Sequence, residues 1–445
     1  MPPAQGIKEM RDKPVMQPKT RRGLVLSLSF AIVFGVWLFR EPLRSRIARS
    51  AALANPAPPP ELVEEMIEQS PDQVAAIAEA WNTGKIIHRE TAVRAIVRAA
   101  SLDRPLPAQL ESIVLSGALD VDLNVRETAL GILRDRKHPA LASLAAAQLR
   151  DCDPQIRLLG LNYLKNAGAG IGVPTIIPLL GEDDPLIVVM GLKLLENWSG
   201  ENFGVKLGET AAVENEKTGL KKYRAGSHEK ARAGAARARA WWADHQAEFP
   251  AVQLAVPREA IAARKPVPAG DFSLRALDGR RVRLADFHGK VVLINFWTTW
   301  CPACLSEMPE LIALQKQHGE RLVIIGVSLD FVPDSHGHIG GHPAVEEQGH
   351  QEEEPNERNQ TALKKVRDKV ARTVKARGIN YPILLDEENA IGGRFNGGEL
   401  PTTVIVDADG NVRRRFIGAR SLPVFEAMIA EASQPAQFTK SLAAD

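Results

Sequence analysis

Cysteine is scarce in this sequence, with only three in 445 residues. So few cysteines exclude a disulfide-rich scaffold. A zinc site built from two cysteine pairs is also excluded, because Cys301 and Cys304 are the only close pair. We interpret the isolated Cys152 as a structural residue. The composition, with 44% hydrophobic and 25% charged residues, excludes wholesale disorder, and the length predicts about three domains.

Most of the chain also lacks an excess of positive charge. The formal net charge is +2, but residues 1–60 hold ten Lys or Arg against three Asp or Glu. The other 385 residues therefore sum to −5. Because binding to nucleic-acid phosphates needs a sustained basic surface, the body of the protein is not expected to bind nucleic acid.

Long apolar runs are rare as well, and a single one stands out. Residues 24–39 contain no charged side chain over sixteen positions, which predicts a transmembrane anchor. At about 1.5 Å per residue it would span roughly 24 Å, so snorkelling of Arg22 and Arg40 would cover the rest of the ~30 Å hydrocarbon core. A cleaved signal peptide is the alternative, because residues 52–54 (Ala-Leu-Ala) resemble a cleavage site. That site lies far beyond the apolar run, so we prefer the uncleaved anchor.

Lys and Arg counts predict the orientation of this anchor. Six lie in residues 1–23, the basic cytoplasmic tail, and four lie shortly after the apolar run. The more basic flank normally stays inside, so the soluble part is expected to face the periplasm or the exterior, where disulfide chemistry is possible. Proline-rich residues 40–60 would form a stiff spacer.

A repeat with a constant step of 31 residues dominates the next part of the chain. Its copies start at Asp122, Asp153 and Asp184, where an N-cap residue is needed. Pro154 and Pro185 occupy the first helical position of two copies. Each copy places apolar side chains at helical spacing on one face, namely Val125, Leu130 and Leu133; Ile156, Leu161 and Leu164; Ile187, Leu192 and Leu195.

This pattern resembles HEAT-type repeats. The resemblance implies an α-helical solenoid over residues 61–250, since a single repeat of this kind cannot bury its apolar face alone. Such a solenoid would present a binding surface to a protein partner. The sequence of this region contains no catalytic motif and no metal-ligand spacing.

The sequence changes character after a proline-containing linker, residues 251–268. Residues 277–280 (Leu-Asp-Gly-Arg) predict a hairpin turn, and the mostly apolar residues 291–296 predict a buried strand. Residues 269–435 are therefore expected to form an α/β domain.

A Cys-x-x-Cys motif, Cys301 to Cys304, follows the predicted buried strand. At the amino terminus of a helix, unpaired N–H groups and the helix dipole would stabilise a thiolate at Cys301. Cys304 would lie one turn further along, close enough to form a disulfide. The spacing therefore predicts that Cys301 is the attacking nucleophile and that Cys304 resolves the mixed disulfide.

Residues 270–311 and 399–407 resemble membrane-anchored thiol–disulfide oxidoreductases of the TlpA/ResA type, which have a thioredoxin-like fold. The resemblance implies that Cys301 and Cys304 are the redox-active disulfide. It also implies that Pro401 is a cis-proline facing this pair.

The same resemblance assigns the surroundings of the cysteine pair. The backbone of Leu400 and the adjoining Pro401 would bind an extended client chain. Trp300 would shield the pair or contact the client. Glu307 would be a buried acid that relays the proton of Cys304. The sequence alone leaves open that Glu307 is an exposed helix residue.

The implied enzyme is a protein disulfide reductase of the bacterial inner (cytoplasmic) membrane, with a single transmembrane helix and no cofactor beyond its redox-active disulfide. Its clients would be cytochrome c apoproteins or copper-site proteins, and a membrane thiol carrier would supply electrons. Whether the net reaction is reduction or oxidation depends on the reduction potential and on that carrier.

Two other functions stay open. In the first, the solenoid is a protein-binding scaffold and the redox domain is accessory. In the second, the protein is a peroxiredoxin-like peroxidase, with Thr298 at the spacing of that class. Against the second, Ile294 stands where that class has a proline, and a second cysteine so close to the first is unusual there.

An insertion rich in His and Glu, at about residues 333–360, departs from the family pattern. Histidines this dense can bind copper or zinc. The alternative, which we prefer, is a solvated acidic loop. The candidate metal ligands are His336, His338, His342 and His350.

Overall fold

The computed structural model describes residues 60–99, 104–206, 212–214, 221–223, 226–250, 253–262, 264–332 and 355–434. The predicted basic tail and transmembrane segment lie outside these ranges, as do nearly all of the spacer and most of the His/Glu-rich insertion. Among the described helices, none combines the length and the apolar character needed to cross a membrane.

Three helices of the amino-terminal region begin at the repeated aspartates. The carboxylates of Asp122, Asp153 and Asp184 each accept a hydrogen bond from the backbone N–H two residues further on. The predicted helix starts are therefore confirmed, and the region is helical. Its described helices are α1 Pro60–Glu68, α2 Gln73–Asn82, α3 Ile86–Ala99, α4 Ala108–Gly117, α5 Leu123–Asp135, α6 Leu141–Gln148, α7 Pro154–Leu164, α8 Ala169–Ile176, α9 Pro185–Ser199 and α10 Ser227–His245.

Helix α10 packs against α9 through small residues. Ala235 and Ala238 are buried, and a Cβ atom at Gly234 would lie only 2.8 Å from a methyl group of Leu192. A larger residue at Gly234 would therefore require the side chains of Leu192 and Val205 to move. The segment between these helices contains an antiparallel pair of strands, β1 Ala212–Glu214 and β2 Lys221–Tyr223.

The segment predicted to be a linker is packed into the protein. It contains the short helix α11, Arg258–Ala262, which packs against α4. Val256 and Ala260 belong to the core of the helical region, and Val267 belongs to a core on the following sheet. The prolines of this segment predicted a linker. Its few apolar residues, however, determine how the segment packs.

The carboxy-terminal region is built on a seven-stranded sheet of order β4-β3-β7-β6-β5-β8-β9. Its strands are β3 Ser273–Ala276, β4 Arg281–Arg283, β5 Val291–Trp297, β6 Leu322–Ser328, β7 Ile383–Leu385, β8 Thr402–Val406 and β9 Val412–Ile417, and its helices are α12 Pro302–His318, α13 Pro355–Arg377, α14 Ala390–Arg394 and α15 Leu422–Ala432.

Strand β5 forms the centre of this sheet. It is buried at every residue, runs parallel to β6 and lies antiparallel to β8. Alternate side chains of β5 contribute to two cores, one shared with α12, α13 and α15 and the other with Phe272 and Phe395. The predicted hairpin turn joins β3 to β4, and the predicted α/β fold is confirmed.

Helix α13 begins earlier than its sequence pattern predicted. The insertion was expected to reach about residue 360, but the helix starts at Pro355. Proline is well suited to the first turn of a helix. The apolar side chains that define the buried face, Val366 and Val370, come only in the second half of the helix. For that reason its polar first turns read as loop in the sequence.

The helical region covers the edge of the sheet at β9. The backbone N–H of Arg415 donates to the carbonyl oxygen of Val121 over 2.8 Å, and Asp122 forms a parallel β-bridge with Arg415. An uncovered edge strand would offer unpaired backbone groups to other chains. The segment before α5 therefore satisfies part of this edge.

Buried ion pairs join the same two regions. The guanidinium of Arg415 lies 2.9 Å from the carboxylate of Asp122, and both side chains are fully buried. Arg414 contacts Asp151 at 2.8 Å. The sequence predicted regions separated by a linker, whereas the described residues of both regions belong to one compact unit.

Candidate redox site

The cysteine pair lies at the junction of β5 and α12. Cys301 is the N-cap residue of α12, and its Sγ accepts a hydrogen bond from the backbone N–H of Cys304 over 3.1 Å. Pro302 is the first helical residue, where its missing N–H has no cost. The two cysteines form a disulfide with a Cα–Cα distance of 5.3 Å. After reduction, the helix amino terminus would stabilise a thiolate at Cys301.

A cis peptide bond between Leu400 and Pro401 lies at the same end of the sheet. It immediately precedes β8, whose Thr402 pairs with Phe296 near the end of β5. Leu400 packs against the core cluster that contains both cysteines. The fold therefore brings together two motifs that lie about a hundred residues apart in the sequence.

Glu307 lies on α12, three residues after Cys304, and only 1% of its surface is exposed. Its Oε1 accepts a hydrogen bond from the backbone N–H of Arg420 over 2.8 Å, and its Oε2 accepts one from the side-chain amide of Asn295 over 3.1 Å. The alternative that Glu307 is an exposed helix residue is therefore wrong.

The environment of Glu307 changes its acidity. Burial raises the pKa of its carboxyl group to about 7, although the backbone hydrogen bond and the charge of Arg420 and the hydrogen bond of Asn295 act in the opposite direction. A carboxyl group that titrates near neutral pH can take up and return a proton one helical turn from Cys304.

The two residues that bind Glu307, Asn295 and Arg420, were not predicted from the sequence. Asn295 is the only polar side chain of β5, and it also donates to the hydroxyl of Thr403 over 3.1 Å. An amide within a buried apolar strand needs a partner, so this residue carried a signal that could have been used. Arg420 lies 113 residues after Glu307 and is marked by no local pattern.

The loop that leads to Cys301 is held by a residue that follows β6. The carboxylate of Asp330 accepts hydrogen bonds from the backbone N–H and the hydroxyl of Thr299, at 3.0 Å in the case of the N–H. Burial raises the pKa of Asp330 above its ordinary value. Next along the chain, Trp300 is 37% exposed, so it offers an aromatic surface beside the disulfide.

The remaining candidate groups are Cys152 and the histidines of the insertion. Cys152 is free and partly buried, with its Sγ 3.6 Å from a carboxylate oxygen of Glu431. Burial raises the pKa of its thiol to about 12, which agrees with a structural and unreactive cysteine. Within the described ranges, no three His, Cys, Asp or Glu side chains are grouped to hold a metal ion. The histidines that fall outside those ranges are His336, His338, His342 and His350.

Comparisons with known proteins concern this same part of the chain. The sequence pattern of the AhpC/TSA family matches residues 265–415. The thioredoxin-like protein YneN of Bacillus subtilis is 30% identical over 150 residues, which cover 34% of this chain and 69% of the relative. The thiol-disulfide oxidoreductase ResA of Geobacillus kaustophilus is 29% identical over 153 residues, covering 34% of this chain and 67% of the relative.

Solved structures are similar to the chain over a comparable length. A thiol:disulfide interchange protein of the thioredoxin family from Chlorobium tepidum is 28% identical, with a TM-score of 0.27. The match covers 38% of this chain and 97% of that one. A thioredoxin from Neisseria meningitidis is 25% identical, with a TM-score of 0.28, and covers 38% of this chain and 93% of that one.

Proposed function

The chain belongs, through its carboxy-terminal region, to the thioredoxin-like thiol–disulfide oxidoreductases, and from this premise we propose that it reduces disulfides of client proteins through Cys301 and Cys304. The observation that carries the proposal is a disulfide at a helix amino terminus with the buried carboxyl group of Glu307 one turn away. Such a site supplies both a reactive thiolate and a proton acceptor.

The proposed reaction has two steps. In the reduced protein, the thiolate of Cys301 attacks a client disulfide, forms a mixed disulfide and releases one client sulfur as a thiolate. Cys304 then loses its proton to Glu307 and attacks the Sγ of Cys301. The second client thiol leaves, and the Cys301–Cys304 disulfide forms again. Two electrons pass from the cysteine pair to the client, and a thiol donor must then reduce the pair.

The client is proposed to bind across the same end of the sheet. The exposed Trp300 would contact it, and the backbone of Leu400, before the cis bond to Pro401, would pair with an extended client segment. Cytochrome c apoproteins or copper-site proteins are the proposed clients. This choice is supported by the resemblance to TlpA/ResA-type proteins.

A membrane location is part of the proposal. The charge-free residues 24–39 and their basic flanks support a single-pass anchor in a bacterial inner membrane, with the redox site on the periplasmic or outer side. A membrane thiol carrier would return electrons to Cys301 and Cys304. Copper or zinc binding by the His-rich insertion stays a minor proposal, supported only by the density of its histidines.

Two alternatives receive less support. A peroxiredoxin-like peroxidase is disfavoured because Ile294 stands in place of the proline of that class. In addition, Cys304 lies in the first turn of the helix that Cys301 caps, which is unusual for that class. A HEAT-like solenoid that binds partner proteins is favoured by the regular 31-residue step of the helices α5, α7 and α9. Client selection by the helical region is compatible with the proposed redox activity.

The proposal is tested by insulin-disulfide reduction with the full chain in detergent and dithiothreitol as electron donor. Cys301→Ser should lower the rate to that of the uncatalysed reaction, because the attacking thiolate is gone. Cys152→Ser is the matched control and should keep the wild-type rate. Equal activity of Cys301→Ser and wild type would refute the proposal. A parallel assay of hydrogen peroxide consumption tests the peroxidase, for which we expect no activity above background.

A further inference from the structure

The segment that follows β9 reaches both parts of the redox site. The backbone N–H of Gly418 donates to the carbonyl oxygen of Pro401 over 2.8 Å. Two residues later, the backbone N–H of Arg420 donates to Glu307 over 2.8 Å. This short segment, residues 417–420, therefore holds the cis-proline and orients the buried acid.

The side chain of Arg420 fixes the shape of residues 417–420. Its Nη1 donates to the carbonyl oxygens of Ile417 and Gly418 over 3.1 and 3.0 Å. The guanidinium group also lies over the ring of Phe416, 4.7 Å from the ring centroid. Because the arginine folds back on its own segment, the position of its backbone N–H depends on the position of its guanidinium group.

That guanidinium group is held from the helical region. Asp153, the N-cap residue of α7, accepts hydrogen bonds from Nε and Nη2 of Arg420, each over 3.0 Å. The side chain of Asp153 is fully buried and that of Arg420 is 6% exposed. A two-point contact of this kind fixes orientation as well as charge, and a buried guanidinium that lost its carboxylate would have to move or find another partner.

We propose that Asp153 is a positioning residue of the redox site, which acts from the helical region through Arg420 to orient Glu307 for proton exchange with Cys304. The inference rests on the proposed proton relay by Glu307. In this proposal the helical region contributes a positioning residue to the redox site, in addition to any role in binding clients.

The expected effect on pH dependence follows from the groups that face Glu307. Arg420, with its positive charge and its N–H, favours the carboxylate form of Glu307, whereas Glu310 on the same helix opposes it. Tyr381 faces Glu307 from the start of the segment that leads to β7, and burial raises the pKa of its hydroxyl, so it stays neutral. Displacement of Arg420 would therefore leave Glu307 protonated to a higher pH and unable to accept the proton of Cys304.

The test follows the reduced full chain as it reacts with 5,5′-dithiobis(2-nitrobenzoate). The first equivalent of thionitrobenzoate reports attack by Cys301, and the second reports attack by Cys304 on the mixed disulfide. Asp153→Asn keeps an oxygen for the N-cap of α7 but removes the charge that holds Arg420. We expect the pH midpoint of the second phase to rise by about one unit, roughly a tenfold loss of rate on its acidic limb, with the first phase unchanged.

Asp122→Asn is the matched control. It makes the same substitution at another N-cap aspartate and removes the ion pair with Arg415 at the same interface, without touching Asp153 or residues 417–420. An equal shift in both variants would mean that a loosened interface, and not positioning through Arg420, causes the effect, and would overturn the inference. So would an unchanged midpoint in Asp153→Asn.

Arg420→Lys is a second variant that tests the inference even if Asp153→Asn fails to fold. Arg420→Lys keeps a cation opposite Asp153 but loses the planar group that binds its own segment, and should raise the midpoint in the same way. Glu307→Gln separates this inference from the proposed function. If Glu307→Gln leaves the second phase unchanged, the proton relay itself is wrong. If Glu307→Gln alters that phase and neither Asp153→Asn nor Arg420→Lys does, only the positioning role is refuted.

Discussion

At the scale of single residues, Glu307 depends on a balance between burial and hydrogen bonding. Burial removes the hydration of its carboxylate and favours the protonated form, whereas the backbone N–H of Arg420 and the amide of Asn295 favour the ionised form. The resulting pKa of about 7 lies close to neutral pH. An exposed glutamate, with a pKa near 4.5, would be ionised almost all the time and would return a proton poorly.

Glu307→Gln should remove a pH-dependent loss of stability. The folded protein retains the Glu307 proton up to a pH of about 7, while an ordinary glutamate in the unfolded chain releases it near 4.5. Wild-type stability therefore falls as the pH rises through this interval, and the loss is complete above pH 7. We expect the decrease in Tm of the oxidised protein between pH 5 and pH 8 to be smaller by about 2–4 °C in Glu307→Gln.

Glu320→Gln is the control for this measurement, because it removes an exposed carboxylate from the turn that follows the same helix. It should show the wild-type difference in Tm between the two pH values. A Glu307→Gln variant whose Tm decreases with pH as steeply as that of wild type would contradict the assignment of the raised pKa to Glu307.

At the scale of elements, the features that the sequence predicted well are those fixed by neighbouring residues. The starts of α5, α7 and α9 follow from an aspartate whose carboxylate binds the first free N–H groups of the helix. The start of α12 follows in the same way from Cys301 and Pro302. The packed linker and the early start of α13 were missed, because both depend on partners far away in the sequence.

Asp184→Ala measures the local contribution of an N-cap. The carboxylate of Asp184 accepts hydrogen bonds from the N–H groups of Leu186 and Ile187. Alanine leaves these donors without that acceptor, so the free energy of unfolding should fall by about 1 kcal/mol. Asp184→Asn keeps an acceptor oxygen, so its free energy of unfolding should fall much less. Thermal unfolding of the three proteins gives the comparison, and equal losses in both variants would show that the charge, and not the cap, stabilises α9.

At the scale of the whole molecule, the capping residues Asp122 and Asp153 have a second function that the sequence did not reveal. An N-cap needs only one carboxylate oxygen. In Asp122 the Oδ1 caps α5, while the Oδ2 binds Arg415, which is 293 residues away in the sequence. Contacts over such distances leave no periodicity and no local motif. The joining of the helical region to the redox region was therefore not predictable from this one sequence, although both regions were.

This joining affects how client selection should be studied. Deletion of the helical region would expose the edge of β9 and remove one carboxylate partner each from Arg414, Arg415 and Arg420. Loss of client binding in such a truncated chain would report a damaged redox region as readily as a missing client surface. Substitutions on the outer surface of the intact protein are the better experiment.

Arg415→Met tests whether the buried ion pair joins the two regions. Methionine keeps the aliphatic part of the side chain, but the carboxylate of Asp122 and the carbonyl oxygens of Phe395 and Asn396 lose their donor. Removal of one partner from a buried ion pair costs about 3–5 kcal/mol. We expect calorimetry of the full chain to show one main transition for wild type, and a lower Tm with partly separated transitions for Arg415→Met.

Arg413→Met is the control for the calorimetry of Arg415→Met. Arg413 lies on the same strand and pairs at 3.5 Å with Asp407 of its own region, and 16% of its side chain is exposed. Because both partners belong to the carboxy-terminal region, loss of this pair should lower Tm without separating the transitions. If Arg415→Met behaved like Arg413→Met, the ion pair of Arg415 with Asp122 would not be needed to join the two regions. The contacts that link Asp153, Arg420 and Glu307 would then cross an interface whose stability does not depend on the neighbouring pair of Arg415 and Asp122.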